Sequence, residues 1–189
     1  MPNTKTRKTA LYIRVSTDSQ FEEGYSVDAQ KEKLEQYCKL KDIEKYEYPA
    51  EKDDTDLGLA FHWALQQSPD RIRIFGNTGG RIDHTLAGVQ LLLQDHTLHS
   101  KTITEIIDDS NLIAAYLPGE YSVAQLSTYK YISFFSMTYT VKDLTLRGFK
   151  YPLNDKEIKL GDTLCVSNEL ILESGNFSFT SGILLMVRS

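Results

Sequence analysis

The spacing of apolar residues differs between the two halves of the chain. In the first half, the pattern predicts a buried strand at Ala10–Val15 and a helix at Ser26–Lys41. A clearer amphipathic helix is predicted at Asp56–Gln67, because its apolar residues recur at offsets of three, four, seven and eight. A strand at Arg71–Phe75 and a helix at Asp83–Gln94 follow. Strands that alternate with helices favour parallel pairing in an α/β layer.

The second half consists of short runs of β-branched and aromatic residues separated by turns. Many short strands with no helix between them are typical of a β-sandwich or barrel. The candidate strands are Ile103–Ile107, Leu112–Tyr116, Tyr131–Phe135, Val141–Arg147, Thr163–Ser167, Glu169–Glu173, Asn176–Thr180 and Gly182–Val187. We therefore expect an α/β domain with a mostly parallel sheet at residues 1–105, and an all-β sandwich or barrel domain at residues 106–189.

Composition and charge narrow the class of protein only slightly. The chain has 189 residues, a net charge of −5 and a pI near 5.4. This balance argues against nucleic acid as a partner, because broad nucleic-acid binding relies on Lys and Arg. Cys38 and Cys165 lack the spacing of metal ligands, and we expect both to be buried thiols. No secretory signal pattern and no apolar run of membrane length is seen, so we expect a soluble cytoplasmic protein without a membrane partner.

An acidic cluster precedes the helix predicted at Asp56–Gln67. The run Lys52-Asp53-Asp54-Thr55-Asp56 combines carboxylates with a cation at a helix start, where Mg²⁺ and a polyphosphate could be held. The alternative is helix capping, with Asp54 or Thr55 as the N-cap and the acids satisfying the helix dipole. The residues alone leave both interpretations open.

A glycine-rich loop at Gly76–Gly80 separates a predicted strand from a predicted helix. Its glycines would let the backbone approach a phosphate, and Arg81 could bind phosphate oxygens as a fork. The alternative is that the turn needs glycine for its geometry and that Asp83 caps the helix. A third polar group, Ser167-Asn168-Glu169, is most simply interpreted as a hairpin turn.

The residues of these motifs and their order along the chain resemble the thiamine pyrophosphokinase family over residues 47–189. The resemblance is carried by KDDTDLGLA, IFGNTGGRIDHTL, IDDSN, YISFFS, LTLRGFKYPL and LCVSNEL. It implies pyrophosphoryl transfer from ATP to thiamine, which yields thiamine diphosphate and AMP and requires Mg²⁺. It also implies an α/β domain followed by a β-sandwich, and a homodimer that binds thiamine between its subunits.

The same resemblance implies roles for particular residues. Asp56, Arg81 and Asp83 would be catalytic, with Asp56 as the magnesium ligand. The residues beside the nucleotide would be Lys52, Asp53, Thr55, Gly79, Gly80 and His84. Thiamine would contact Ser167 and Asn168. No residue is identified as a general base.

Residues 10–46 resemble the start of a serine recombinase instead, through LYIRVSTDSQ and GYSVDAQ. This second resemblance implies Ser16 as a former nucleophile and Arg14 as its phosphate partner. The further arginines of that family are missing, because Asp70–Arg73 has the wrong spacing. The Gly-Asp-Phe-Asp-Ser motif that usually begins a thiamine pyrophosphokinase is also missing before Lys52. We therefore predict a chimera.

Three hypotheses follow from the two resemblances. The first is a thiamine pyrophosphokinase whose activity is impaired or lost because the aspartate motif is missing. The second is a catalytically silent chimera that keeps the fold and the dimer. The third is a protein that carries out recombinase-type DNA strand exchange.

Overall fold

A computed structural model describes residues 54–189 of the chain. The predicted strand at Ala10–Val15, the predicted helix at Ser26–Lys41 and the site candidates Arg14, Ser16, Lys52 and Asp53 lie outside the described residues. In chain order the described elements are α1 (Asp56–Gln66), β1 (Arg71–Ile74), α2 (Ile82–Leu93), α3 (Asp95–Leu98), β2 (Ile103–Ile107), β3 (Leu112–Tyr116), β4 (Gly119–Ala124), β5 (Ile132–Ser136), β6 (Thr140–Arg147), β7 (Leu153–Lys159), β8 (Ser174–Phe179) and β9 (Leu184–Arg188).

The first sheet joins the α/β part of the chain to strands from the β-rich part. Its strand order is β1-β2-β3-β9-β5. β1 and β2 pair in parallel across the segment that contains α2, and the neighbouring pairs β2–β3, β3–β9 and β5–β9 are antiparallel. Within residues 54–189, the expected parallel pairing is therefore limited to one pair. The short turn between β2 and β3 accounts for the change, since a crossover is needed to keep consecutive strands parallel.

The second sheet is antiparallel throughout, with the order β4-β8-β6-β7. Phe134 of β5, in the first sheet, packs against Phe177 of β8, in the second, with ring centroids 5.0 Å apart. Phe149 lies 5.8 Å from Phe134 on another side, and all three rings are 1% exposed. Cys165 is buried in the same cluster, as expected, and burial raises the pKa of its thiol to about 11. A single hydrophobic cluster thus holds the two sheets together.

Two of the predicted strands are wrong. Thr163–Ser167 forms a turn, and Glu169–Glu173 contributes only an isolated bridge between Leu170 and Phe149. Leu164 and Val166 made this segment resemble a strand, yet both side chains are largely exposed. Because these two side chains face solvent, they do not pack against either sheet.

Two strands were not predicted, and both lie at an edge of the second sheet. They are β4 and β7. In β7 (LNDKEIK), Ile158 is the one fully buried residue, and the remaining side chains are polar, charged or partly exposed. Charged edge strands are common because they hinder pairing with other chains. β4 (GEYSVA) and β7 each contain only two large apolar side chains, so they lack the apolar pattern by which strands are recognised.

The expected domain boundary between residues 105 and 106 falls inside β2. This strand pairs with β1 on one side and with β3 on the other. The first sheet is therefore continuous across the boundary, and the division into two domains stays a prediction. Within residues 54–189, no helix is both long enough and apolar enough to cross a membrane.

We expect Phe177→Ala to lower the free energy of unfolding by about 3–5 kcal/mol, because it leaves a cavity where the two sheets meet. Urea unfolding measures the change. The matched control is Tyr139→Ala, since the Tyr139 side chain is 82% exposed, and its effect should stay below about 0.5 kcal/mol. Equal effects of the two variants would contradict the assignment of the core.

Candidate functional site

The candidate site lies at the edge of the first sheet where β1 and β2 both end. Parallel register pairs Ile74 of β1 with Ile106 of β2. The glycine-rich loop that follows β1 and the turn that begins with Asp108 after β2 therefore lie at the same edge. Ligands of α/β sheets commonly bind outside the carboxyl ends of parallel strands.

Asn77 anchors the glycine-rich loop to α2. Its side-chain amide donates to the carbonyl of Thr85 at 3.2 Å, and the Thr85 hydroxyl donates to the Asn77 carbonyl at 2.8 Å. The Asn77 side chain occupies the space beside Gly88, where an added Cβ would come within 2.3 Å of Asn77 Nδ2. Gly88 is therefore required for this close contact between the loop and the helix.

Thr78 anchors the loop on its other side. Its hydroxyl donates a short hydrogen bond to Oδ2 of Asp108. Oδ1 of Asp108 accepts from the backbone N–H groups of Ser110 at 2.7 Å and Asn111 at 2.6 Å. Burial raises the pKa of Asp108, but the hydrogen bonds from Thr78, Ser110 and Asn111 outweigh it, so the pKa lies below the ordinary 3.8.

On both sides of these two anchoring residues the loop presents bare backbone. Gly76 and Gly79 have φ angles of 71° and 82°, in the left-handed region that favours glycine. An added Cβ at Gly76, Gly79 or Gly80 would meet no described atom within 4 Å. Arg81 occupies the N-cap position of α2 without making a side-chain capping bond. The loop backbone and the positive end of the helix dipole thus suit an anion.

Arg81 and Asp83 form a bidentate pair at the start of α2. Nε and Nη2 of Arg81 donate to the two carboxylate oxygens of Asp83 at 3.1 Å and 2.5 Å. The hydrogen bond from Arg81 lowers the pKa of Asp83 below its ordinary value. Asp83 also accepts from the backbone N–H of His84, whose buried Nε2 has no hydrogen-bond partner among the described residues. The carboxylate fixes the plane of the guanidinium, and both groups stay exposed.

The start of α1 is capped by Thr55. Its hydroxyl accepts from the backbone N–H of Gly58 at 3.0 Å, which is the usual N-cap geometry. The carboxylate of Asp54 lies against Gly58, where an added Cβ would be 2.5 Å from Oδ1. Asp56 lies in the first turn, where its charge complements the helix dipole. Of the two capping residues considered, Thr55 is the one observed.

Within residues 54–189, no group of three His, Cys, Asp or Glu side chains is arranged to hold a metal ion. The assignment of Asp56 as a magnesium ligand therefore stays a prediction.

Ser167 and Asn168 lie in the turn after β7, within the β-rich part of the chain. Oδ1 of Asn168 accepts from the backbone N–H of Tyr151 at 3.0 Å, and its Nδ2 donates to the Tyr151 carbonyl at 2.8 Å. Asn168 is 3% exposed, whereas Ser167 is exposed and has a φ angle of 59°. Asn168 thus holds the Tyr151 backbone, and Ser167 is the accessible member of the pair.

A cavity of about 350 Å³ lies beside this turn. Its walls carry charges of both signs, from Lys130, Glu169 and the buried Arg188. Arg188 Nη2 donates to the carbonyl of Ala124 at 2.7 Å, and burial lowers the pKa of Arg188. Glu169 also pairs with Lys150 at 3.1 Å.

Some of the site residues expected from the sequence are neighbours, and others are not. Gly79, Gly80, Arg81, Asp83 and His84 form one continuous segment at the carboxyl edge of β1. The residues that sequence reasoning missed are Asn77, Thr78 and Asp108. An aspartate directly after a strand that pairs in parallel with the strand before a glycine-rich loop is a signal that could have found Asp108.

A glycine-rich loop at the carboxyl edge of a parallel strand pair, followed by an arginine at a helix start, is an arrangement of α/β proteins that suits phosphate groups. Comparison with known proteins is more specific. Residues 26–104 match the family model "Thiamin pyrophosphokinase, catalytic domain", and residues 120–184 match "Thiamin pyrophosphokinase, vitamin B1 binding domain". The chain belongs to the thiamine pyrophosphokinase family.

Individual relatives agree with this assignment. Thiamine pyrophosphokinase from Bacillus subtilis (strain 168) is 51% identical over 142 residues, which are 75% of this chain and 65% of that protein. The chain therefore spans about two thirds of the length of this relative. A crystal structure of thiamine pyrophosphokinase from Bacillus subtilis matches with 44% identity and a TM-score of 0.78, over 88% of this chain and 74% of the other.

The comparisons give no support to a recombinase origin of residues 10–46. The catalytic-domain model begins at residue 26, inside the segment 10–46 that resembles a serine recombinase. A short match of 42 residues, 45% identical, is found to an uncharacterized immunity region protein 3 of Bacillus phage phi105. It covers 22% of this chain and 51% of that protein, whose name states no activity.

We expect Asn168→Ala to lower the free energy of unfolding by about 2 kcal/mol, because it removes the hydrogen bonds by which the buried Asn168 amide holds the Tyr151 backbone. Urea unfolding measures the loss. Ser167→Ala keeps the hydrogen bond from its backbone N–H to Ser133 Oγ and should change stability by less than about 0.5 kcal/mol. A loss as large for Ser167→Ala would show that Asn168 does not hold the turn.

Asp108 should contribute to the acid sensitivity of the fold. Its pKa is lowered in the folded state, so the stability it contributes is present above its unfolded pKa and is lost as the pH falls through its folded pKa. We expect the free energy of unfolding to fall less steeply between about pH 5 and pH 2 in Asp108→Asn than in the wild type. Urea unfolding at a series of pH values measures the slope. The exposed neighbour variant Asp109→Asn is the control and should keep the wild-type slope. Equal slopes for all three proteins would contradict the assignment.

Proposed function

We propose that this chain transfers the pyrophosphoryl group of ATP to the hydroxyl of thiamine, which yields thiamine diphosphate and AMP. One observation carries the proposal: the anchored glycine-rich loop and the Arg81–Asp83 pair form an edge that suits a polyphosphate, within the region that matches the catalytic-domain model. The match to the vitamin B1 binding domain over residues 120–184 supports thiamine as the acceptor.

The proposed reaction is an in-line displacement at the β-phosphorus of ATP. The hydroxyl oxygen of thiamine forms a bond to that phosphorus, the bond to the bridging α–β oxygen breaks, and AMP leaves while the hydroxyl proton passes to solvent. Catalysis of this kind depends on positioning and on neutralising charge. Arg81 would hold phosphate oxygens, and the bare backbone at Gly79 and Gly80 would let the polyphosphate approach. Asp83, whose pKa is lowered, would orient the guanidinium of Arg81.

Mg²⁺ would enter with the nucleotide as MgATP, since magnesium is usually bound through substrate phosphates and one or two carboxylates. Asp56, in the first turn of α1, would supply such a carboxylate. Thr55 would act chiefly as the helix cap, because its hydroxyl oxygen already accepts from Gly58.

Thiamine would bind at the turn that carries Ser167. Asn168 would keep this turn in place, because its amide is occupied by the Tyr151 backbone. Exposed apolar side chains flank Ser167 along the chain, at Leu164, Val166, Ile171 and Leu172. Clusters of exposed apolar side chains often mark an interface, which supports a homodimer formed through this region.

The region that matches the catalytic-domain model contains Asp56, Arg81 and Asp83, so we propose an active enzyme in place of a silent chimera. Neither loss of activity nor recombinase chemistry is supported by the comparisons. Because the Gly-Asp-Phe-Asp-Ser motif is missing, an activity assay decides between an active enzyme and a silent chimera.

We expect AMP to form from MgATP only when thiamine is present. Arg81→Ala should lower kcat/KM by about 100-fold, because it removes the group that neutralises charge in the transition state. Chromatographic quantification of AMP and thiamine diphosphate measures the rate. Arg147→Ala, at an exposed arginine of β6, is the matched control and should retain full activity. A folded wild-type chain that forms no thiamine-dependent AMP would refute the proposed function.

A further inference from the structure

We propose that Thr78 and Asp108 are positioning residues for nucleotide binding, and that their hydrogen bond fixes the glycine-rich loop in its phosphate-binding shape. This inference rests on the proposed function, because the ligand of the loop is taken to be the polyphosphate of ATP. Neither residue would touch the transferred group. Each would act through the loop backbone that leads to Arg81.

The loop cannot fix its own shape. Gly76, Gly79 and Gly80 have no side chains and are the residues with the greatest backbone freedom. No described atom lies within 4 Å of an added Cβ at these glycines, so nothing packs against them on that side. If the loop moved freely in the unbound protein, the cost of ordering it would weaken nucleotide binding.

Two side chains within the loop supply the missing restraint. Asn77 holds the loop to α2 through Thr85, and Thr78 holds it to the turn after β2 through Asp108. The two contacts lie on consecutive residues and lead to different elements. Together they fix the position of the chain immediately before Gly79.

Asp108 is well suited as the fixed end of this contact. The turn that contains it is held by a backbone hydrogen bond from Asp108 to the carbonyl of Asn111 at 2.9 Å. Its own carbonyl accepts from the hydroxyl of Tyr129 at 2.8 Å. A carboxylate acceptor also makes a stronger hydrogen bond than a neutral group. Thr78 is therefore tied to a rigid part of the first sheet.

A role confined to the turn would not explain the contact with Thr78. The bonds from Ser110 and Asn111 to Asp108 form a local turn without it. Substitution of Asp108 would disturb both the turn and the loop. Substitution of Thr78 affects the loop contact alone, so Thr78 is the residue at which the inference is tested.

The experiment compares Thr78→Val, which removes the hydroxyl, with Thr78→Ser, which keeps it. The matched control is Thr180→Val, since Thr180 makes a similar hydrogen bond to Asp143 within the second sheet. Calorimetry measures the affinity for the Mg²⁺ complex of α,β-methylene ATP, which cannot release AMP, and separately the affinity for thiamine. Amide hydrogen exchange of residues 76–83 measures the order of the loop in the absence of ligand.

We expect Thr78→Val to bind the nucleotide analogue about tenfold more weakly, in line with the loss of a hydrogen bond to a charged group. Its loop amides should exchange faster, and its affinity for thiamine should not change. Thr78→Ser should restore the affinity for the analogue to within about twofold. Thr180→Val should resemble the wild type in both affinities and in loop exchange.

Unchanged affinity for the analogue in Thr78→Val would overturn the inference, and so would equal loss of affinity for the analogue and for thiamine. A wild-type chain that binds no analogue would refute the proposed function instead. In that case loop exchange decides the anchoring role: equal protection of residues 76–83 in the wild type and Thr78→Val would overturn it, and faster exchange in Thr78→Val alone would support it.

Discussion

The parallel pairing of β1 with β2 is the constraint on which the candidate site depends. It brings the loop after one strand and the turn after the other to the same edge of the sheet. The Thr78–Asp108 hydrogen bond can form only because of this pairing, since the two residues are 30 positions apart in the chain. The glycines on either side of Asn77 and Thr78 can then leave their backbone bare without leaving the loop unrestrained.

The same sheet connects the edge that carries the glycine-rich loop to the β-rich part of the chain. β2 pairs with β1 on one side and with β3 on the other, and β3 continues through β9 to β5. Phe134 on β5 then packs against Phe177 of the second sheet. Hydrogen-bond donors from both parts also meet at Asp108, because Tyr129 donates to its carbonyl and Thr78 donates to its carboxylate. Within residues 61–189, the described parts of both matched family regions thus contribute strands to the first sheet.

The elements that were predicted correctly from the sequence are those whose apolar pattern reflects burial. β2 and β3 were predicted with the bounds that the structure has, and α1 and α2 within one residue at each end, because each shows a regular apolar pattern. The strands β4 and β7 were missed because each contains only two large apolar side chains, Tyr121 and Val123 in β4 and Leu153 and Ile158 in β7. The segment at Leu164–Val166 was misassigned because the side chains of Leu164 and Val166 are exposed and only Cys165 is buried. An apolar pattern predicts an element only when the pattern reflects packing.

The sequence by itself determined the features that depend on residues close together in the chain. These are the helices, the buried strands, the glycine-rich loop, the adjacent Arg81–Asp83 pair and, through its ordered motifs, the family. Only the tertiary structure decided that Thr78 meets Asp108, that Asn168 uses its amide on Tyr151, and that the parallel pair extends into an antiparallel sheet. Local geometry depends on neighbouring residues along the chain, whereas contacts between distant residues depend on how the whole core packs.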